Sequence, residues 1–111
     1  MVSSSDIESE AFDRFEFVLL KRPANPPHFS DEELDQLQEL HLAHLRAQTV
    51  AGAIRVAGPF DEQSDESLRG FSLYHTGSLE RTRSLASTDP AVMAGRLEVE
   101  VMYFYCPKGT L

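Results

Sequence analysis

The stretch HLAHL at residues 41–45 places His41 and His44 three residues apart. Side chains at that spacing share a helix face, and imidazole acts there as a general acid or base near neutral pH or as a metal ligand. A metal would need a third donor from His28, His75 or a distant carboxylate. No HExxH pattern is present, and Cys106 is the single cysteine, so no Cys-based zinc site can be assembled. No metal site is expected. Gly52, Gly58 and Gly70 form neither a GxGxxG fingerprint nor a P-loop, so no cofactor is expected either. None of the serines lies in a G-x-S-x-G elbow, and Cys106, without a basic neighbour in sequence, reads as an inert or partly exposed thiol. Proton transfer on a small organic molecule is the chemistry left standing.

The histidines need a helix to hold them. Ser30 followed by Glu33 is a capping box, and Asp31 and Glu32 add negative charge suited to a helix N-terminus. The helix runs from there to about Val50, with Gly52 as its stop. At roughly 100° per residue, Leu34, Leu37, His41, Leu45 and Gln48 fall in a stripe roughly 80° wide. His41 lies near its middle and faces inward, whereas His44 sits about 60° to one side, at the edge. Periodicity alone favours a core histidine with satisfied ring nitrogens for His41 and a surface residue for His44.

Around this helix the pattern alternates. DRFEFVLLK, from Asp13, sets Phe15, Phe17 and Leu19 against Arg14, Glu16 and Val18, and Pro23 ends it. AIRVAGPF is a short second strand and DEQSDESLRG a polar connection. GFSLYHT follows as a third strand, with Phe71, Leu73 and His75 on one side and Ser72 and Tyr74 on the other. A shorter helix opens near Ser78, with Leu79 and Leu85 pointing inward. RLEVEVMYFYC closes the chain as the longest strand, Leu97, Val99, Val101, Tyr103 and Tyr105 alternating with Glu98, Glu100, Met102 and Phe104. The order βαββαβ predicts an α+β, ferredoxin-like domain: a four-stranded antiparallel sheet with two helices on one face. The bare face carries Phe, Val and Tyr, and a homodimer through it is expected. The acidic, Ser-rich residues 1–12 read as a disordered tail, and 13–111 as a single domain.

Net charge narrows the partners. Eighteen Asp and Glu against ten Lys and Arg give −8, with the basic residues scattered, which argues against nucleic acid and against an anionic membrane surface. No apolar run approaches a membrane span and no signal-like segment opens the sequence, so a soluble, cytoplasmic protein is expected.

Taken in order, HLAHL, VAGPF, TDPAVMAG and EVEVMYFYCPKG resemble the YciI-like (YCII-related) family, over residues from about 15 to 109. The resemblance implies a dimeric α+β barrel. The family's histidine lies in an H-L-x-x-L pattern matched by His41, Leu42 and Leu45, its Gly-Pro is matched by Gly58 and Pro59, and its Asp falls in the pair Asp89-Pro90. Asp61, just after GPF, is a second candidate for that acid; it also reads as a solvated loop carboxylate, and Asp89 as a turn residue favoured before proline. The chain departs from the family in carrying His44 where relatives often have Arg or another polar residue, and in a longer, more acidic loop from Asp61 to Arg69.

The resemblance implies a His-Asp dyad, with His41 as acid or base and Asp89 orienting it. Related dimeric barrels include muconolactone isomerases, dehydrochlorinases and cofactor-independent monooxygenases, so isomerisation, elimination or lactone hydrolysis is the expected reaction class. His44, Phe60, Asp61, Phe17 and Phe71, with Tyr103, are the expected substrate-binding residues, giving a cleft for a flat, partly apolar ligand. The rival expectation is a non-catalytic ligand-binding or accessory protein in which the pair fixes helix packing.

Overall fold

The computed structural model describes residues 11–111; residues 1–10, most of the expected tail, lie outside the described residues. The elements run β1 (Phe12–Lys21), α1 (Asp31–Val50), β2 (Ile54–Pro59), β3 (Leu68–Tyr74), α2 (Leu79–Ala86), α3 (Pro90–Met93) and β4 (Glu98–Pro107). Phe12, assigned above to the tail, pairs with Pro107 and so belongs to the sheet.

The sheet has the order β2-β3-β1-β4 with every neighbouring pair antiparallel, which makes the molecule the ferredoxin-like α+β fold expected from the element order. Helix α1 packs over β2 and against α3, while α2 lies over β1 and β4. Under the helices Val18, Leu20, Ile54, Tyr74, Ala86, Ala91 and Leu97 form one core. A smaller cluster of Phe15, Leu73 and Cys106, flanked by Phe17 and Phe71, lies on the other face. Cys106 is buried there rather than partly exposed.

Helix α1 begins as expected. Ser30 accepts from the Glu33 backbone N–H and the Glu33 carboxylate accepts from the Ser30 N–H at 3.0 Å. Gly52 then takes φ +84° beyond the helix, a conformation that favours glycine. No residue of α1 is fully buried, and its half-buried residues are Leu34, Leu37, His41, His44, Leu45 and Gln48. That is the expected stripe, with His44 drawn into its edge.

Two local expectations give way to the central position of β1. Its even-numbered side chains point under the helices and its odd-numbered ones the other way, so both faces are packed and Glu16 is wholly buried. Beneath α2, Glu16 Oε1 accepts from Thr76 N, Thr76 Oγ1 and Thr82 Oγ1 at 2.7, 2.8 and 2.9 Å. The inward residues of α2 are consequently Thr82 and Ala86, not Leu79; Leu85 is only partly buried against the core. The buried carboxylate demands a hydroxyl on the helix above it, which a search for large apolar residues cannot anticipate.

Candidate functional site

The site forms where α1 crosses the chain between α2 and α3. After Ala86, Ser87 closes α2, and Asp89 adopts an extended conformation (φ −59°, ψ 124°) before Pro90 at the first position of α3. The Asp89 carboxylate is 2 % exposed and uses its oxygens for different tasks. Oδ1 accepts from Ala91 N at 2.9 Å and caps α3, while Oδ2 lies 2.5 Å from His41 Nδ1. The turn role and the histidine-partner role, alternatives in the sequence, are both filled.

This pairing sets the imidazole. A carboxylate is an acceptor only, so Nδ1 carries the proton and donates it, leaving the Nε2 lone pair as the basic position. The ring is fixed at one end by Asp89 and lines a cavity of about 320 Å³ between α1 and the sheet. Leu20, Leu42, Leu45 and Leu97 supply its apolar wall; Arg22, Gln38 and Arg69 its other polar side chains. Gly58, Pro59 and Gly70 form the floor where β2 meets β3. A Cβ on Gly70 would sit 2.5 Å from Gly58 O, so this floor requires glycine. A smaller hollow of about 80 Å³ adjoins the cavity, sharing Arg22, Gln38, His41 and Leu97 and adding Arg96.

The electrostatics are local. Burial lowers the pKa of His44, with the Asp89 charge opposing and His41 adding to the effect. Tyr74, packed in the core below Asp89, is pushed up to about 12 by burial and then by the Asp89 carboxylate. Burial, then the charges of Arg96 and Arg69, lowers the pKa of Arg22.

The expected site residues are thus divided. His41 and Asp89 meet. Asp61 does not join them: it accepts from the Glu62 N–H at 2.9 Å and lines a separate polar hollow with Phe60, Glu62, Gln63, Glu66 and Arg69. His44 is half-buried beside the pair without lining the cavity. Phe17 stacks on Phe71, centroids 5.1 Å apart, and Phe60 lies 6.0 Å from Phe71, which places this aromatic row on the sheet face away from His41. Phe71 alone of the three also borders the cavity. Tyr103 lies under the Arg14 guanidinium at 4.2 Å, outside it. The alternation of a strand decides this: Phe17 is offset by one residue from Val18 and Leu20, which face the helices.

Among the described residues no group of three or more His, Cys, Asp or Glu is gathered as a metal site would require. His75, a suggested third donor, faces Arg55 Nη2 through its Nδ1 at 3.0 Å and packs on Phe15 across the sheet from His41. No helix among them is long and apolar enough to cross a membrane.

Gln38 and Arg22 were the readable omissions. Gln38 precedes His41 by three residues on the same helix, and Arg22 continues the inward-facing series Val18, Leu20 beyond the end of β1. Arg69 comes from the start of β3, in a stretch the sequence reads as polar connection, and Arg96 from the turn before β4, and no local pattern marks them.

A solved structure of 5-chloro-2-hydroxyhydroquinone dehydrochlorinase from Burkholderia phenoliruptrix AC1100, in complex with 2,5-dihydroxybenzoquinone, shares the fold with a TM-score of 0.55 and 19% sequence identity. The match covers 81% of this chain and 90% of that one. No curated protein matches the sequence. The YCII-related domain matches residues 16–105, through β1, the His41 helix, the Asp89 turn and most of β4, and the chain belongs to that family.

Proposed function

We propose that this protein is a small-molecule enzyme in which His41 Nε2 removes or returns a proton and Asp89 holds the imidazole in the competent tautomer. The observation that carries the reading is the 2.5 Å contact between His41 Nδ1 and Asp89 Oδ2 in a histidine that also lines a cavity. As His41 takes a proton, the imidazolium gains a buried counter-charge at the moment it needs one. In an elimination, the C–H pair would reform as a double bond while the leaving group departs with its bonding electrons; in an isomerisation, the same proton would return at another carbon. Either fits a single general base better than lactone hydrolysis, which needs an activated water as well.

The size of the cavity supports a compact substrate, since about 320 Å³ holds one substituted ring. The structurally similar dehydrochlorinase is named for a chlorinated hydroxyhydroquinone and holds a dihydroxybenzoquinone. Hydroxylated, chlorinated or quinone-like rings and small lactones are therefore the first compounds to screen by thermal shift. With a hit in hand, His41→Gln and Asp89→Asn should lose turnover while still melting cooperatively. Activity that persists in folded His41→Gln would refute the reading.

One observation favours a second reading. Because Asp89 Oδ1 also caps α3, the pair pins α1 to α3, as a ligand-binding protein without turnover would equally require. Binding of screened compounds with no chemical change in any of them would support it.

We further propose that the protein acts as a homodimer, the bare sheet face of one chain meeting that of a second. Val56, Met102 and Phe104 stand about two-fifths exposed there beside Phe17 and Phe71, an apolar patch that a second copy would cover.

A further inference from the structure

The cavity holds more positive charge than the mechanism above uses. Arg22 and Arg69 line it together with His41, and Arg96 lines the adjoining hollow with Arg22 and His41. In a chain of net charge −8 carrying ten Lys and Arg, two guanidiniums line the cavity and a third lines the hollow that adjoins it. None of them is in an ion pair with a carboxylate among the described residues; Arg69 donates to Glu66 O at 3.0 Å and also lines the polar hollow that holds Asp61, Glu62 and Glu66, which leaves Arg22 as the principal cation of the cavity. Arg22 Nε is buried without a hydrogen-bond partner. An orphaned buried donor is costly, and three like charges repel one another, so the arrangement is one that an anion would relieve. The lowered pKa of Arg22, caused by burial and by Arg96 and Arg69, is consistent with that standing repulsion.

We propose that Arg22, assisted by Arg69 and Arg96, binds a planar oxyanion carried by the substrate, a carboxylate or a ring phenolate, beside the carbon whose proton His41 transfers. The inference rests on the functional reading of His41 and names the substrate class for that site. Guanidinium matches a flat oxyanion through paired N–H donors, where a lysine would offer only a point charge. Leu20, Leu42, Leu45 and Leu97 face the remainder of such a molecule with apolar surface, which suits an aromatic or unsaturated ring rather than an inorganic anion. Proton removal next to the oxyanion delocalises new negative charge toward it, so the guanidiniums would hold the charged state more strongly than the starting one.

The test is a titration that needs no turnover. Benzoate and 2,5-dihydroxybenzoquinone, which present the carboxylate and the ring oxyanion, are compared with neutral benzamide and with inorganic phosphate by calorimetry. The Arg Nε–H resonances are followed by NMR in the full-length protein. At least one of the two organic anions should bind about tenfold or more tighter than benzamide, shift the Arg22 Nε–H signal and weaken with added salt. Which of the two binds tighter assigns the oxyanion. Arg22→Gln should abolish the preference for the anion. If that variant does not fold, Arg96→Gln should reduce the preference severalfold and the wild-type NMR shift still decides. Equal binding of benzoate, dihydroxybenzoquinone and benzamide, or phosphate binding as tightly as either anion, overturns the proposal. A shift confined to arginines away from the cavity overturns it as well. His41→Gln should keep the anion preference. A lost preference in wild type with an intact His41–Asp89 tautomer rejects only the oxyanion site; a retained preference with no turnover from any compound rejects only the catalytic role.

Discussion

Replacing Asp89 by Asn and by Ala separates its two oxygens. Alanine removes the α3 cap, which costs about 1 kcal/mol, and strands His41 Nδ1 beneath the helix, which costs roughly 1–3 kcal/mol. The loss of about 2–4 kcal/mol corresponds to a fall in Tm of roughly 10–25 °C for a domain of this size. Asparagine behaves differently. Its amide oxygen must stay on Ala91 N, because the amide nitrogen cannot accept from that donor, and its NH2 group then points at His41 Nδ1. The ring responds by becoming an acceptor at Nδ1 and carrying its proton on Nε2, the wrong tautomer for a base. Stability should fall by only about 1 kcal/mol, whereas any turnover should fall by about 10²–10⁴. Urea unfolding gives the first quantity, and long-range proton–nitrogen spectra of the imidazole rings report the tautomer directly, with no substrate. A His41 ring that keeps its proton on Nδ1 in Asp89→Asn, or equal destabilisation by Asn and Ala, would refute the division of labour between Oδ1 and Oδ2.

Light scattering at micromolar concentration should give about twice the 12.4 kDa chain mass, and Phe104→Asp should halve it while leaving the far-ultraviolet spectrum intact; a monomeric parent protein would contradict the sheet-face dimer. Burial holds the His44 pKa below its ordinary value, so as pH falls the unfolded chain takes up that proton first and stability is lost below about pH 6.5. His44→Gln should therefore flatten the acid side of a Tm-against-pH curve, and a steeper acid side in the variant would count against this. Of the three tyrosines, one should resist ionisation until about pH 12 in an ultraviolet titration, and that step should vanish in Tyr74→Phe. Gly70→Ala should cost about 1–3 kcal/mol in urea unfolding, because its Cβ meets the β2 backbone, while Gly58→Ala, whose Cβ meets nothing, should cost less; the reverse order would show that β2 and β3 are less tightly joined at the cavity floor.

The sequence by itself determined the frame. The Ser30–Glu33 box, the 3.6-residue stripe through His41 and the alternating runs on either side are local signals, each carried by neighbours within a few residues, and they were enough to order the elements and to aim His41 inward. Asp89 was reachable only through resemblance to a family, since an aspartate before proline looks like any other turn; it lies 48 positions beyond His41, and no periodicity links the two. Tertiary structure decided which aromatic residues share the site. Phe17 and Phe60 looked like cleft residues, yet successive side chains of a strand point to opposite faces, so Phe17 falls on the face away from the helices, and Phe60, just beyond β2, packs beside Phe71 there. It also decided the cationic wall, because Arg22, Arg69 and Arg96 come from just beyond the end of β1, the start of β3 and the turn before β4, which meet only when the chain folds. Local pattern fixes which way a residue faces along its own element; only the folded chain fixes what it faces.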